Sequence, residues 1–259
     1  MKKSILFLFA FIVIATGVLF FLPESHSAPA NTSFRESQKK FGKVKTAYDL
    51  KWPGIKQKLN SLGVDTSSFE IFIRGFKQEE ELEVWVKSAK KTSWQLYATF
   101  PICQGSGVAG PKRCQGDGQV PEGFYDVSVF NPSSNYLLSL GVSYPNASDK
   151  IFACKGDPGG AIMIHGNCVT IGCIPITDDK IQELYVMAVE ARTGGQSDIP
   201  IHLFPARMSD ANLAALKKSN TDAATGAFWD NLKEGYDKFE SAKILPSVTV
   251  DKQGKYIFK

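Results

Sequence analysis

From Phe69 onward the hydrophobic period of this chain is two, and that change of period limits its fold more than any other feature. Residues 69–74, 82–87 and 94–100 are short, rich in β-branched and aromatic side chains, and alternate or nearly so between polar breaks, which predicts successive strands, most simply a meander. Strand-like segments resume at 124–130, 136–142, 161–165 and 199–204. Between them, residues 103–123 are so studded with Gly and Pro that they can only be a long loop, and loops of that length in a compact domain usually carry function. The expected fold is mainly β, of the α+β class.

Helical periodicity is confined to a few places. After residue 177, Asp178 and Asp179 suit a helix N-terminus, and Thr177 is a candidate cap. Ile181, Leu184, Tyr185, Ala188 and Val189 then make one apolar stripe, and Gly194-Gly195 ends it. Residues 209–218 and 228–242 also read as helices, the second with Trp229, Leu232, Tyr236 and Phe239 on one side, and are expected to cover the sheet rather than form a domain. Residues 31–49 are polar and lysine-rich, a tether or loosely packed helix, followed by a short helix over 54–61. No internal repeat is visible.

The net charge of +4 is small, and the basic residues are scattered among acids with no aromatic-interleaved patch, which argues against nucleic acid as a partner. Met1-Lys2-Lys3 followed by an apolar run over 5–22 has the layout of an export signal. Ala28-Pro29-Ala30 offers a cleavage site, yet the run approaches the ~20 residues that span a bilayer, so residues 1–30 are expected to be a signal peptide or an N-terminal membrane anchor. Any membrane contact would come through this segment alone. Five cysteines in an exported chain leave at least one thiol unpaired even if two disulfides form.

The chemistry concentrates in IMIHGNCVTIGC, residues 162–173. A strand ends at His165-Gly166, and eight positions later comes Gly172-Cys173. Fully extended, that spacing separates the two side chains by roughly 26 Å, so they meet only if the chain folds back, for which Gly166 and Gly172 supply conformational freedom. A free thiol is only about 3% thiolate at pH 7; an imidazole within reach takes its proton and makes a nucleophile. Backbone amides around Ile171 and Gly172 are candidate donors to the oxyanion such an attack creates. Taken singly, each residue has a plainer reading: Cys173 as a small core residue, His165 bonded to a carbonyl. His165, Cys168 and Cys173 could also ligate zinc, but no clear fourth ligand follows, and neither metal nor cofactor is expected. His202, alternating with Ile201 and Leu203, reads as structural. Asp178-Asp179 lies too far along for a catalytic assignment, and Lys112, Asp117 and Glu122 in the long loop read as solvated.

HGNCVTIGC resembles the signature of the L,D-transpeptidase (YkuD-type) catalytic family, closest to its YafK-like branch with the pattern HGxCxSxGC. PICQGSGVAGPK, GDGQVPEGFYDV, NPSSNYLLSLGVSYPNASD, GGAIMIHG and GGQSDIPIHLFPARM are similar to the same branch, in the same order. The resemblance implies an L,D-transpeptidase-type, β-sandwich-like catalytic domain over residues 68–208. An N-terminal polar or helical segment over 31–67 and a helical extension over 209–259 would flank it. It further implies that Cys173 attacks an L-centre to D-centre bond of a peptidoglycan stem peptide, with His165 as base. The thioester then passes to an amine, giving a crosslink or protein attachment, or to water. Thr170 falls at the family's Ser/Thr position and, with Gly166, is a weaker candidate for substrate contact. Ile171 stands where most of the family has a second His, so orientation of His165 falls to another group, such as a backbone carbonyl.

Cys103 and Cys168 look usual for the branch and are expected to be buried thiols. Cys114 and Cys154 are unusual for it and are expected to form a disulfide. The implied partners are stem peptides and a wall-linked lipoprotein; the implied location is the periplasm or cell envelope. A hydrolase of the same fold, and a non-catalytic wall-binding module, are the alternatives.

Overall fold

The computed structural model describes residues 33–259; the signal or anchor expected over 1–30 lies outside them. Among the described residues, no helix is long and apolar enough to cross a membrane.

The predicted meander is present. Strands β1 (Phe69–Phe76), β2 (Glu81–Ser88) and β3 (Gln95–Pro101) pair antiparallel. Further along come β4 (Gly123–Asn131), β5 (Ser139–Val142), β6 (Met163–His165), β7 (Ile174–Pro175) and β8 (Pro200–Phe204). Together they form one mixed eight-stranded sheet in the order β3-β2-β1-β8-β4-β5-β6-β7. The last strand of this sheet in sequence, β8, is thus inserted between β1, its parallel neighbour, and β4, its antiparallel one. β4 pairs with β8 through its first half and with β5 through its second, with a register shift between Val127 and Val129. A bulge bends a sheet, and this one curves into a half-barrel flanked by helices.

Helix α4 (Thr177–Thr193) packs against the sheet with Ile181, Leu184, Tyr185, Val186, Met187, Ala188 and Val189 all fully buried. A helix buried on every side needs a second layer over it. That layer is α1 (Phe34–Lys39) and α2 (Gly42–Ser61), so of the two readings of 31–49 the helix holds and the tether does not, the packing is close rather than loose, and 54–61 is part of α2 rather than a separate helix. One helix runs through Pro53, and Val44, Ala47, Ile55 and Leu59 form its buried stripe; the surrounding lysines hide that stripe from a composition-based reading. Buried polar contacts fix the layer: the guanidinium of Arg35 and the Tyr48 hydroxyl both donate to Glu190 on α4, and the Tyr185 hydroxyl donates to Gln38 Oε1 at 2.7 Å. The cap of α4 is also corrected. Its N-cap residue is Ile176, without a side-chain bond, while Thr177 is the first helical residue, at φ +69°.

The opposite sheet face is covered by α5 (Asp210–Ser219), α6 (Ala223–Ala242) and a hairpin of β9 (Val248–Val250) and β10 (Tyr256–Phe258). Trp229, Leu232 and Tyr256 pack there against Phe76, Phe124 and Phe204. The hairpin, and α3 (Ala147–Phe152) with its Asn146–Asp149 capping box, escaped the sequence reading.

His202 on β8 is buried between Phe72 and Phe124, with ring centroids 4.5 and 4.6 Å away. Burial, helped by the charge of Arg74, pushes it down to about 3. A base depressed on folding binds its proton in the unfolded chain first. Its stabilising effect is therefore complete above the ordinary histidine value and is lost as pH falls from about 6.5 toward 3. Urea unfolding should show stability dropping with acid through this window, by up to about 1.4 kcal/mol per pH unit from this residue. His202→Phe should flatten that slope relative to the parent; an identical slope would remove His202 as its source.

Candidate active site

Strand β6 delivers His165, the chain loops through residues 166–172, and Cys173 leads into β7. β6 and β7 pair parallel, Ile164 opposite Ile174 and His165 opposite Pro175, so the two ends of the loop return to neighbouring strands. Ile162, Ile164, Ile174 and Ile176 belong to the core on the α4 side. Strand alternation therefore sends His165 and Cys173 to the other face.

His165 is buried and stacks on Tyr136, ring centroids 4.5 Å apart. Its Nδ1 lies 2.5 Å from the carbonyl oxygen of Gly166. A carbonyl only accepts, so Nδ1 donates and Nε2 carries the lone pair. Burial holds the imidazole below its ordinary value, opposed by the Gly166 carbonyl.

Cys173 is partly exposed and is the free cysteine of the chain. Burial pushes its thiol up, partly offset by the Met163 backbone. The hydrogen-bond contact of Sγ is the Ala161 carbonyl at 3.8 Å, and among the described residues no hydrogen bond joins it to His165. Both shifts favour the uncharged form of their group.

The connecting loop is braced from within. Thr170 Oγ1 accepts from the amide of Gly172 at 3.1 Å and donates to the carbonyl of Cys173 at 2.8 Å, so its hydroxyl shapes the turn. Gly172 has φ +134°, and an added Cβ would sit 3.1 Å from the Gln119 carbonyl oxygen; here glycine is required. Gly166 needs space rather than an unusual backbone angle, because a Cβ there would come within 2.4 Å of Asp178 Oδ1 and 2.8 Å of the Tyr136 carbonyl. Asp178, set aside in the sequence, accepts from the Asn167 amide at 2.8 Å. The Ile171 side chain is 90% exposed.

Cys103 and Cys168 are not buried thiols: they form a disulfide, Cα atoms 5.5 Å apart, with Cys168 exposed. Sixty-five residues separate them, a pairing that only long-range folding reveals. Because a disulfide sulfur is not a thiolate, the bond also removes Cys168 from any zinc site. The Cys103 amide donates to the Pro175 carbonyl at 2.9 Å, so the bridge ties the 166–172 loop to β7 and to the long loop. Cys114 and Cys154 form the second disulfide, Cα atoms 5.6 Å apart.

Within the long loop the reading of solvated charges is overturned for Lys112 and Glu122, while Asp117 is exposed as expected. Lys112 is buried and donates to Asp117 at 2.6 Å and to the Cys114 carbonyl at 2.8 Å; Asp117 also accepts the amides of Arg113, Cys114 and Gln119. Glu122 is fully buried and accepts from Lys77 at 3.0 Å, from the Gly110 amide at 2.8 Å and from Trp229 Nε1 at 2.8 Å. A buried carboxylate stays only where donors surround it, and these fasten the loop to β1 and α6. The loop so held forms one wall of a cleft of about 400 Å³ lined by Ile102, Ser106, Val108, Val120, Cys173 and Ile174. His165 is not among the lining residues.

The model of the L,D-transpeptidase catalytic domain (YkuD) matches residues 81–202, which include His165 and Cys173. The Escherichia coli (strain K12) protein named "Putative L,D-transpeptidase YafK" is 38% identical over 189 residues, 72% of this chain and 73% of its own. The chain belongs to the L,D-transpeptidase family. Among solved structures, it is similar to the helical cell shape determining protein Pgp2 of Campylobacter jejuni, at 18% identity and a TM-score of 0.42 over 76% of this chain and 80% of that one. It is also similar to Mycobacterium tuberculosis L,D-transpeptidase 1, at 13% identity and a TM-score of 0.30 over 52% and 62%. Membership in the L,D-transpeptidase family makes this a peptidoglycan-related protein with an enzyme domain.

Proposed function

We propose that this protein is an exported cysteine acyltransferase of the bacterial cell wall, acting on peptidoglycan stem peptides, with Cys173 as nucleophile and His165 as general base. The observation that carries the proposal is the join of three facts: one unpaired thiol on a cleft, a histidine on the adjacent strand, and that histidine's Nδ1–H fixed on the Gly166 carbonyl. Nε2 is the nitrogen left to accept the thiol proton as substrate enters.

In the proposed cycle, the Cys173 proton passes to His165 Nε2 as sulfur attacks the carbonyl of the L-centre to D-centre bond. The carbonyl π pair moves onto oxygen, met by backbone amides of the 171–173 turn. With the Gly172 amide engaged by Thr170, Ile171 and Cys173 are the better donors. The intermediate collapses, the C–N bond breaks, and the departing amine takes the proton from His165, leaving a thioester. An amine or water then attacks with His165 again as base, giving a crosslink, a protein attachment or hydrolysis, and the thiol is restored. A wall-linked lipoprotein is a candidate participant at this second step, and the envelope is the compartment in which such a substrate lies.

Incubation of the purified protein with defined stem-peptide muropeptides, followed by intact mass, tests the proposal. A thioester adduct on Cys173 with a crosslinked or released product is expected. Absence of both defeats the enzyme reading in favour of a wall-binding module, and purely hydrolytic products remove the transferase name.

A further inference from the structure

The cleft at Cys173 continues past the long loop. Val108 and Ala109 line it and also line a second cavity of about 850 Å³, closed on its far side by the start of α6 and the β9–β10 turn. In the wall of this second cavity stands Arg113. Its guanidinium lies 5.2 Å from the Phe152 ring centroid and 4.9 Å from that of Phe228. Nη1 reaches Asp149 Oδ1 at 3.5 Å, and its other side-chain N–H groups have no protein acceptor among the described residues.

The acids of the same wall are engaged elsewhere. Asp230 pairs with Lys217 at 2.5 Å, Glu234 with Lys255 at 3.1 Å, and Asp222 accepts from the Thr225 amide and hydroxyl. Arg113 and Lys255 both line the cavity with donors to spare, but Lys255 is a half-exposed ammonium paired with Glu234, whereas Arg113 rests on two aromatic rings in a space large enough for a peptide fragment. A planar guanidinium resting on aromatic rings is suited to holding a carboxylate through paired hydrogen bonds.

Arg113 is also held in advance. Its amide donates to Asp117 at 2.8 Å, its carbonyl accepts from the Cys154 amide at 3.2 Å, and the next residue carries the Cys114–Cys154 bridge. The disulfide thereby joins the backbone of Arg113 to the segment that bears Phe152. A residue fixed in this way loses little entropy on binding.

We propose that Arg113, against Phe152 and Phe228, is a carboxylate-binding subsite for the peptide that reacts at Cys173, and that the second cavity seats the part of this peptide bearing a free carboxylate. The inference rests on the reading of Cys173 as an acyl-transfer nucleophile and adds to it the feature the substrate must carry.

The test uses the full chain carrying Cys173→Ala, so that binding is read without turnover, titrated calorimetrically with a defined muropeptide in its free-carboxylate form and in its amidated form. Preference for the free form by about tenfold or more is expected, the size of one charge-assisted contact. Adding Arg113→Gln should abolish the preference. Arg113→Lys, which keeps the charge but loses the fork, should reduce it, and thermal melts of both variants check that the fold persists. Equal affinity for the two forms, a preference that survives Arg113→Gln, or inorganic phosphate binding at Arg113 that leaves the peptide preference untouched, would overturn the subsite. The outcome is separable from that of the acyl-transfer reading. Wild-type protein that turns over both forms with equal kcat/KM sinks the subsite alone, whereas carboxylate-selective binding without any thioester sinks the nucleophile.

Discussion

Replacing Cys173 by Ala should remove every trace of acyl-enzyme and reduce turnover to background, a fall on the order of 10⁶-fold by analogy with loss of an activated serine. The change deletes one sulfur at a partly exposed position outside the two disulfides. The fold should survive, which near-ultraviolet dichroism and an unchanged melting temperature would verify. The prediction is sharp because of cysteine arithmetic: with Cys103, Cys114, Cys154 and Cys168 in bridges, the cleft has no second thiol to substitute. Intact-mass detection of a thioester on the Cys173→Ala protein, or product formation above background, would show that the chemistry lies elsewhere.

His165→Gln should lower kcat/KM by roughly 10²–10⁴-fold, the usual worth of a positioned general base, while leaving Cys173 open to alkylation by excess reagent at high pH. The resting state makes this test informative. Burial pushes the thiol up and the imidazole down, both directions that disfavour a preformed thiolate–imidazolium pair. In such a site the base matters at the moment of attack, when the thiol proton must go somewhere. The kcat/KM profile should accordingly keep its acid limb below the ordinary histidine value, since protonation of His165 abolishes the acceptor. Near-normal turnover in His165→Gln, or an acid limb unmoved by the substitution, would end its assignment as base. Resting thiol reactivity is by the same logic a poor discriminator between an enzyme and an inert module. A slow, high-pH alkylation is expected of both, and trapping of the acyl-enzyme decides between them.

The local features of this protein were legible in its residues. Period-two segments located every strand of the main sheet but β7, the stripe from Ile181 to Val189 located α4, and an odd number of cysteines left one thiol outside any pairing within the chain. Each of these depends only on neighbours in the chain or on counting. The motif from His165 to Cys173 suggested the proposed chemistry for the same reason, since the two residues bound one short loop.

What depends on distant residues was decided by tertiary structure alone. Insertion of β8 between β1 and β4, the Cys103–Cys168 bridge and the burial of Glu122 under Trp229 all join segments at least 65 residues apart, and no periodicity records such a pairing. The fold likewise settled which imidazole nitrogen is free, by placing the Gly166 carbonyl against Nδ1, and engaged the Gly172 amide through Thr170. Hydrophobic patterning reports the environment of a side chain, because burial repeats along an element. The partner of a buried charge, thiol or ring nitrogen is set by where the chain returns, and that information exists only once the sheet is closed around it.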